Sequence, residues 1–115
     1  MTSNPISQVD ASEFNFNVAH VATFQENLAV LASRLGFILT KEIDDLDELE
    51  VGYLQLSDGF HFYLCKYRSR PSNTVEVFFA SQLSDWEARL EQISIALGIP
   101  EANLLWKNEG YVKTP

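Results

Sequence analysis

Two histidines, His20 and His61, and one cysteine, Cys65, are the neutral-pH base and nucleophile candidates in this chain. A thiol and an imidazole support nucleophilic catalysis only within hydrogen-bond reach of each other. His61 and Cys65 lie four apart in one predicted strand and share a face. At ~3.3 Å per residue their Cα atoms are about 13 Å apart, too far to cooperate. Cys65 therefore reads as a half-buried small hydrophobe, and His20 as a solvated residue on the polar side of a predicted helix. A lone cysteine excludes an intramolecular disulfide and a cysteine-based zinc site. The five glycines form neither a dinucleotide nor a nucleotide phosphate loop, and no serine elbow of the G-x-S-x-G type occurs. No catalytic residue, cofactor or metal ligand set is expected, and the chain reads as a non-enzyme.

Carboxylates are the other reactive groups. Glu42, Asp44, Asp45, Asp47, Glu48 and Glu50 place six acids within nine positions. An EF-hand loop needs a glycine turn and alternately spaced ligands, and this run has neither. It reads as a solvated acidic loop and as the candidate contact for a basic partner. A small ligand or divalent cation held by a regulatory domain is the alternative. The formal net charge is −8 and the pI near 4.5. Residues 1–50 carry nine acids and two bases, and residues 51–115 seven and six. A free-standing nucleic-acid binder, which must neutralise phosphate with clustered Lys and Arg, is not expected.

These groups need a scaffold, and 115 residues suffice for one domain with a real core. Residues 1–16 are polar, with Pro5 and scattered Ser, Asn and Gln, and read as a mobile arm whose end Phe14 and Phe16 pin to the body. Residues 17–115 read as a single domain. Val21, Phe24, Leu28, Leu31 and Leu35 step by three and four, which predicts a helix over 18–35 closed by Gly36. Phe37–Ile43 is a predicted first strand. Val51–Leu56 and Phe60–Tyr67 flank Asp58-Gly59, a hairpin signal, and Val75–Ala80 follows a polar loop containing Pro71. Ser84-Asp-Trp-Glu87 fits a capping box opening a second helix, with Trp86, Leu90, Ile93 and Leu97 on one face and Gly98 and Pro100 ending it. Leu104–Trp106 fits a short strand or a docked turn. The expected fold class is α+β: a two-layer domain with an antiparallel meander of three to five strands and two helices on one face, in the order α-β-β-β-β-α.

Alternation along the strands divides the sheet. Leu54, Leu56, Phe60, Phe62, Leu64, Val75, Val77 and Phe79 form an apolar set suited to pack under the helices. Tyr53, His61, Tyr63, Tyr67 and Phe78 form the other face, aromatic with polar tips, as protein interfaces often are. Another protein is the expected partner on that face, with a homodimer mate or the tail around Trp106 as other coverings. Stacking of single-stranded nucleic acid would need more than Lys66, Arg68 and Arg70 nearby.

The helix, meander, helix order is similar to that of double-stranded RNA-binding domains. The second helix here, however, opens Ser84-Asp-Trp-Glu-Ala-Arg where theirs opens with lysines. The stretch from Phe24 to Leu97 resembles the secretion-chaperone-like α/β domains in its opening helix ending Leu35-Gly36-Phe37, its Ser57-Asp58-Gly59 turn and its second amphipathic helix near Ser84. That resemblance implies dedicated binding of another protein; it departs after Leu97, where the family adds two strands and a helix. No secretory signal, lipidation box or apolar run of membrane-spanning length is present, so a cytoplasmic location without membrane association is expected. Together these features predict a non-enzymatic acidic protein-binding domain, acting as inhibitor, adaptor or dedicated chaperone.

Overall fold

The computed structural model describes residues 5–111. Seven strands, β1 Ile6–Gln8, β2 Val18–Gln25, β3 Thr40–Asp44, β4 Asp47–Leu56, β5 His61–Tyr67, β6 Thr74–Ala80 and β7 Leu104–Lys107, combine with two helices, α1 Leu28–Leu35 and α2 Trp86–Leu97. The strands form one sheet in the order β1-β4-β5-β6-β2-β7, and β3 pairs with the N-terminal half of β4 alongside β1. The pairings are antiparallel. The fold class is thus α+β with an antiparallel sheet and two helices. The strands exceed the expected three to five, and β1, β2 and β7 lie outside the expected element order. Among the described residues no helix is long and apolar enough to cross a membrane.

The largest correction concerns the predicted helix 18–35. Its first half is strand β2, and only Leu28–Leu35 is helical. A β-bulge explains the misleading spacing. The register with β6 shifts between His20 and Ala22, leaving Val21 as the extra residue. Val21, Ala22 and Phe24 are then all buried in the core, and the Val21 to Phe24 step of three imitates a helical period. Asn27 begins α1, its side chain accepting from the Val30 amide at 3.0 Å, and Gly36 ends it at φ 79°.

The acidic run is a hairpin rather than a loop. Asp44 pairs with Asp47, and the two-residue turn Asp45-Leu46 has φ values of 50° and 70°, the positive pair that a type I′ hairpin requires. The expected Ser84 capping box is also absent. Helix α2 starts at Trp86, and its N-cap Asp85 makes no side-chain cap hydrogen bond but lies 3.7 Å from Arg89.

The first and last described segments are held by the sheet. Within the segment expected as an arm, residues 1–4 lie outside the described residues, while β1 pairs with β4 and Ile6 is buried. Beyond α2, β7 pairs with β2, and Tyr111 donates to Ala80 O and accepts from the Leu83 amide. Residues 112–115 lie outside the described residues.

Both helices pack on one sheet face. Leu28 and Leu31 of α1, and Leu90, Ile93 and Leu97 of α2, share one core cluster with Leu54, Phe62, Leu64, Val75, Val77 and Phe79. Phe37, which opens no strand, plugs the core over Gly52. A methyl group on Gly52 would lie 2.7 Å from Phe37 Cε1.

Candidate functional site

The opposite sheet face carries the expected aromatic set. Pairing places Tyr53 opposite Tyr63, Gln55 opposite His61, Leu49 opposite Tyr67, and Tyr63 opposite Phe78. Tyr63 and Phe78 stack with ring centroids 4.9 Å apart. Leu49, Val51 and Cys65 form the buried floor, with Tyr53, Tyr63, Tyr67 and Phe78 packed against it. Burial pushes the Cys65 thiol far above its ordinary pKa, followed by the Glu76, Asp44 and Glu42 charges. It is a floor residue with a protonated sulfur, and reacts poorly as a nucleophile.

Alternation sorts the acidic residues. Glu42, Asp44 and Asp47 project on the aromatic face, while Glu48 and Glu50 take the other and Asp45 sits in the turn. Glu48 lies 3.6 Å from Arg68, and Glu50 falls between Lys41 and Lys66 in a cross-strand row. The six acids therefore do not converge, and no group of three or more His, Cys, Asp or Glu suited to hold a metal occurs among the described residues. Tyr53 donates to Glu42 Oε2 at 2.5 Å, Tyr67 to Asp44 Oδ2 at 2.8 Å and Ser69 to Asp47 Oδ2 at 2.5 Å. Burial, then these carboxylates, push both phenols well above their ordinary pKa, so they remain neutral donors. Glu42 and Asp44 have no ion pair with a described cation.

Glu76 shares this face by the same alternation as Phe78, and His20, Phe14 and Trp106 reach it from other parts of the chain. Glu76, across from Cys65 and Thr23, is the buried charged residue and pairs with Arg70 Nε at 3.4 Å. His20, taken for a solvated helix residue, lies in β2 with its ring between Phe78 at 4.9 Å and Trp106 at 4.6 Å. Burial holds its pKa below the ordinary value, against the pull of Glu76. Phe14 packs on Tyr53, His61 and Tyr63 at 5.2–5.7 Å. Phe78 and Glu76 alternate visibly in the sequence. His20 and Trp106 join only through the β6-β2-β7 pairing, which no local pattern encodes.

The chain between β1 and β2 forms a strap across one end of the face. Its 3₁₀ turn Ala11–Glu13 carries a capping box between Asp10 and Glu13, and Glu13 Oε1 lies 2.8 Å from His61 Nε2. Beside the strap an open cavity of about 370 Å³ is lined by Phe14, Tyr53, Tyr63 and Tyr67 with Glu42 and Asp44. This cavity is the trough of the face; a second, of about 380 Å³, also touches Asp44 and Tyr67 and reaches Arg70. Compared with protein-family models, with curated proteins and with solved structures, the chain matches none.

Proposed function

We propose that this domain binds a basic segment of another protein along the aromatic and acidic trough, acting as an inhibitor, adaptor or dedicated chaperone and not as an enzyme. The observation that carries this reading is the state of Glu42 and Asp44. Each is oriented by a neutral phenol and lacks a cation within 4.0 Å among the described residues, next to an open, ring-lined cavity. Opposite charge on a partner steers encounter, and aromatic rings supply contact area at low entropic cost. The hairpin tip supports it too. Leu46 is 97% exposed at φ 70°, a costly conformation and an apolar side chain that neither stability nor solubility favours. A contact made by Leu46 would offset both.

The test is retention of the full chain on an array of short synthetic peptides of basic, neutral and acidic composition, at low and high salt. Basic peptides should be retained preferentially, with retention falling as salt rises. Retention of apolar peptides irrespective of charge and salt would replace this reading with a chaperone-like apolar mode. No retention of any class would remove it.

A further inference from the structure

We infer that the trough seats the guanidinium group of an arginine on the partner, between the phenol rings and the carboxylates of Glu42 and Asp44. This deepens, and rests on, the basic-segment reading above.

Geometry selects among cations. Tyr53 occupies Oε2 of Glu42 and Tyr67 occupies Oδ2 of Asp44, and the second oxygen of each has no hydrogen-bond or ion-pair partner among the described residues. These two residues are two apart on β3, on the same face, about 7 Å apart along the strand, and both line the same ring-walled cavity. An ammonium is a compact point charge with three donors. A guanidinium offers five N–H donors in a plane, which lets it address two carboxylates while its flat face lies on a ring. The cavity wall supplies those rings, Phe14, Tyr53, Tyr63 and Tyr67.

The chain already pairs a guanidinium with a carboxylate on this sheet face. Arg70 lies against the buried carboxylate of Glu76. That leaves Glu76 compensated and Glu42 and Asp44 without a cation among the described residues, and the ring-walled cavity is the one that both of them line. The phenols reinforce the preference. As neutral donors they hold the carboxylates still, so an arriving planar cation finds its acceptors pre-placed and loses less on ordering.

The experiment is an NMR titration of the full chain with acetylated, amidated glycine-flanked peptides that differ only in a central arginine, lysine or citrulline. The arginine peptide should shift resonances of Glu42, Asp44, Tyr63 and Tyr67 and bind about tenfold more tightly than the lysine peptide, the size of one charge-assisted hydrogen bond. The neutral citrulline peptide should leave those resonances in place. The Glu42→Gln and Asp44→Asn variants keep an oxygen for each phenol, and each should weaken the arginine peptide about tenfold with an otherwise unchanged spectrum. Equal affinity for arginine and lysine, shifts mapping to another face, or no loss in either variant would overturn the arginine seat. If basic peptides are retained on the array without an arginine preference, the seat falls and the basic-segment reading stands. If no basic peptide binds, both fall.

Discussion

The carboxylate of Glu13 meets the imidazole of His61 across 48 residues of sequence, with Oε1 2.8 Å from Nε2. Gly59 O accepts from the other ring nitrogen at 2.7 Å. Both ring nitrogens thus face acceptors, an arrangement that suits the doubly protonated imidazolium and ties the strap to the end of β5.

That contact has a pH signature. The Glu13 hydrogen bond raises the His61 pKa, and the His61 hydrogen bond lowers that of Glu13. The His61 contribution to stability is therefore complete below the ordinary histidine pKa near 6.5 and is lost as pH rises through the raised folded value. The Glu13 contribution is complete above the ordinary glutamate value and is lost as pH falls through its lowered one. The latch should be tightest between those ordinary values and loosen toward alkaline pH. An NMR titration checks this: the His61 midpoint should sit above the ordinary value and return to it in Glu13→Gln. Identical midpoints in the two proteins would show that the strap contact is not made.

Gly52 sets a packing limit. An added methyl 2.7 Å from Phe37 Cε1 forces either a buried ring or β4 to move, and overpacking of this kind costs about 1–3 kcal/mol. Gly52→Ala should lower the denaturation midpoint accordingly. Combining it with Phe37→Leu should cost less than the sum of the two single changes, since the second relieves the clash of the first. Strict additivity would mean that Phe37 does not sit on Gly52.

Helix caps separate the two helices. Asn27→Ala removes the acceptor for the Val30 amide and should cost about 0.5–2 kcal/mol. Ser84→Ala should be near neutral, because α2 begins two residues later without a side-chain cap. Chemical denaturation of both variants measures the contrast, and a cost at Ser84 equal to that at Asn27 would restore the capping box.

The hairpin turn holds recoverable stability. Leu46 at φ 70° takes a conformation that costs a non-glycine residue roughly 1–2 kcal/mol. Leu46→Gly should raise stability by about 1 kcal/mol, part of the relief being offset by the entropy of glycine, while weakening retention of basic peptides if the tip contributes to binding. A lower midpoint would contradict the turn geometry.

The short α1 makes a sharp distinction between neighbours. Leu31 is 1% exposed and Val30 58%. Leu31→Ala should cost about 2–5 kcal/mol, whereas Val30→Ala should change stability little, since alanine also has the higher helix propensity. Similar costs at both positions would move the buried face of the helix.

Much of this architecture is written locally. Alternation in Phe60–Tyr67 and Val75–Ala80 places Tyr63, Tyr67 and Phe78 on one face before any contact is known, because strand side chains alternate with a period of two. The Asp58-Gly59 hairpin, the buried Leu28 and Leu31, and the α2 stripe of Trp86, Leu90, Ile93 and Leu97 follow from short-range rules in the same way. What tertiary structure decided lies where one residue changes the phase or a partner arrives from far away. The extra residue Val21 turns a strand pattern into a helix-like one, and only pairing with β6 reveals it. The charged run 42–50 lacks the apolar alternation of a strand, yet its ends pair because β4 continues past Val51 and offers β3 an edge. The trough depends on both kinds of information. Its rings and carboxylates are legible in sequence, but Phe14 reaches Tyr53 and Tyr63, and Tyr67 reaches Asp44, only after strand pairing has brought distant backbone together. Local preferences settle which way a side chain points; the global register settles what it points at.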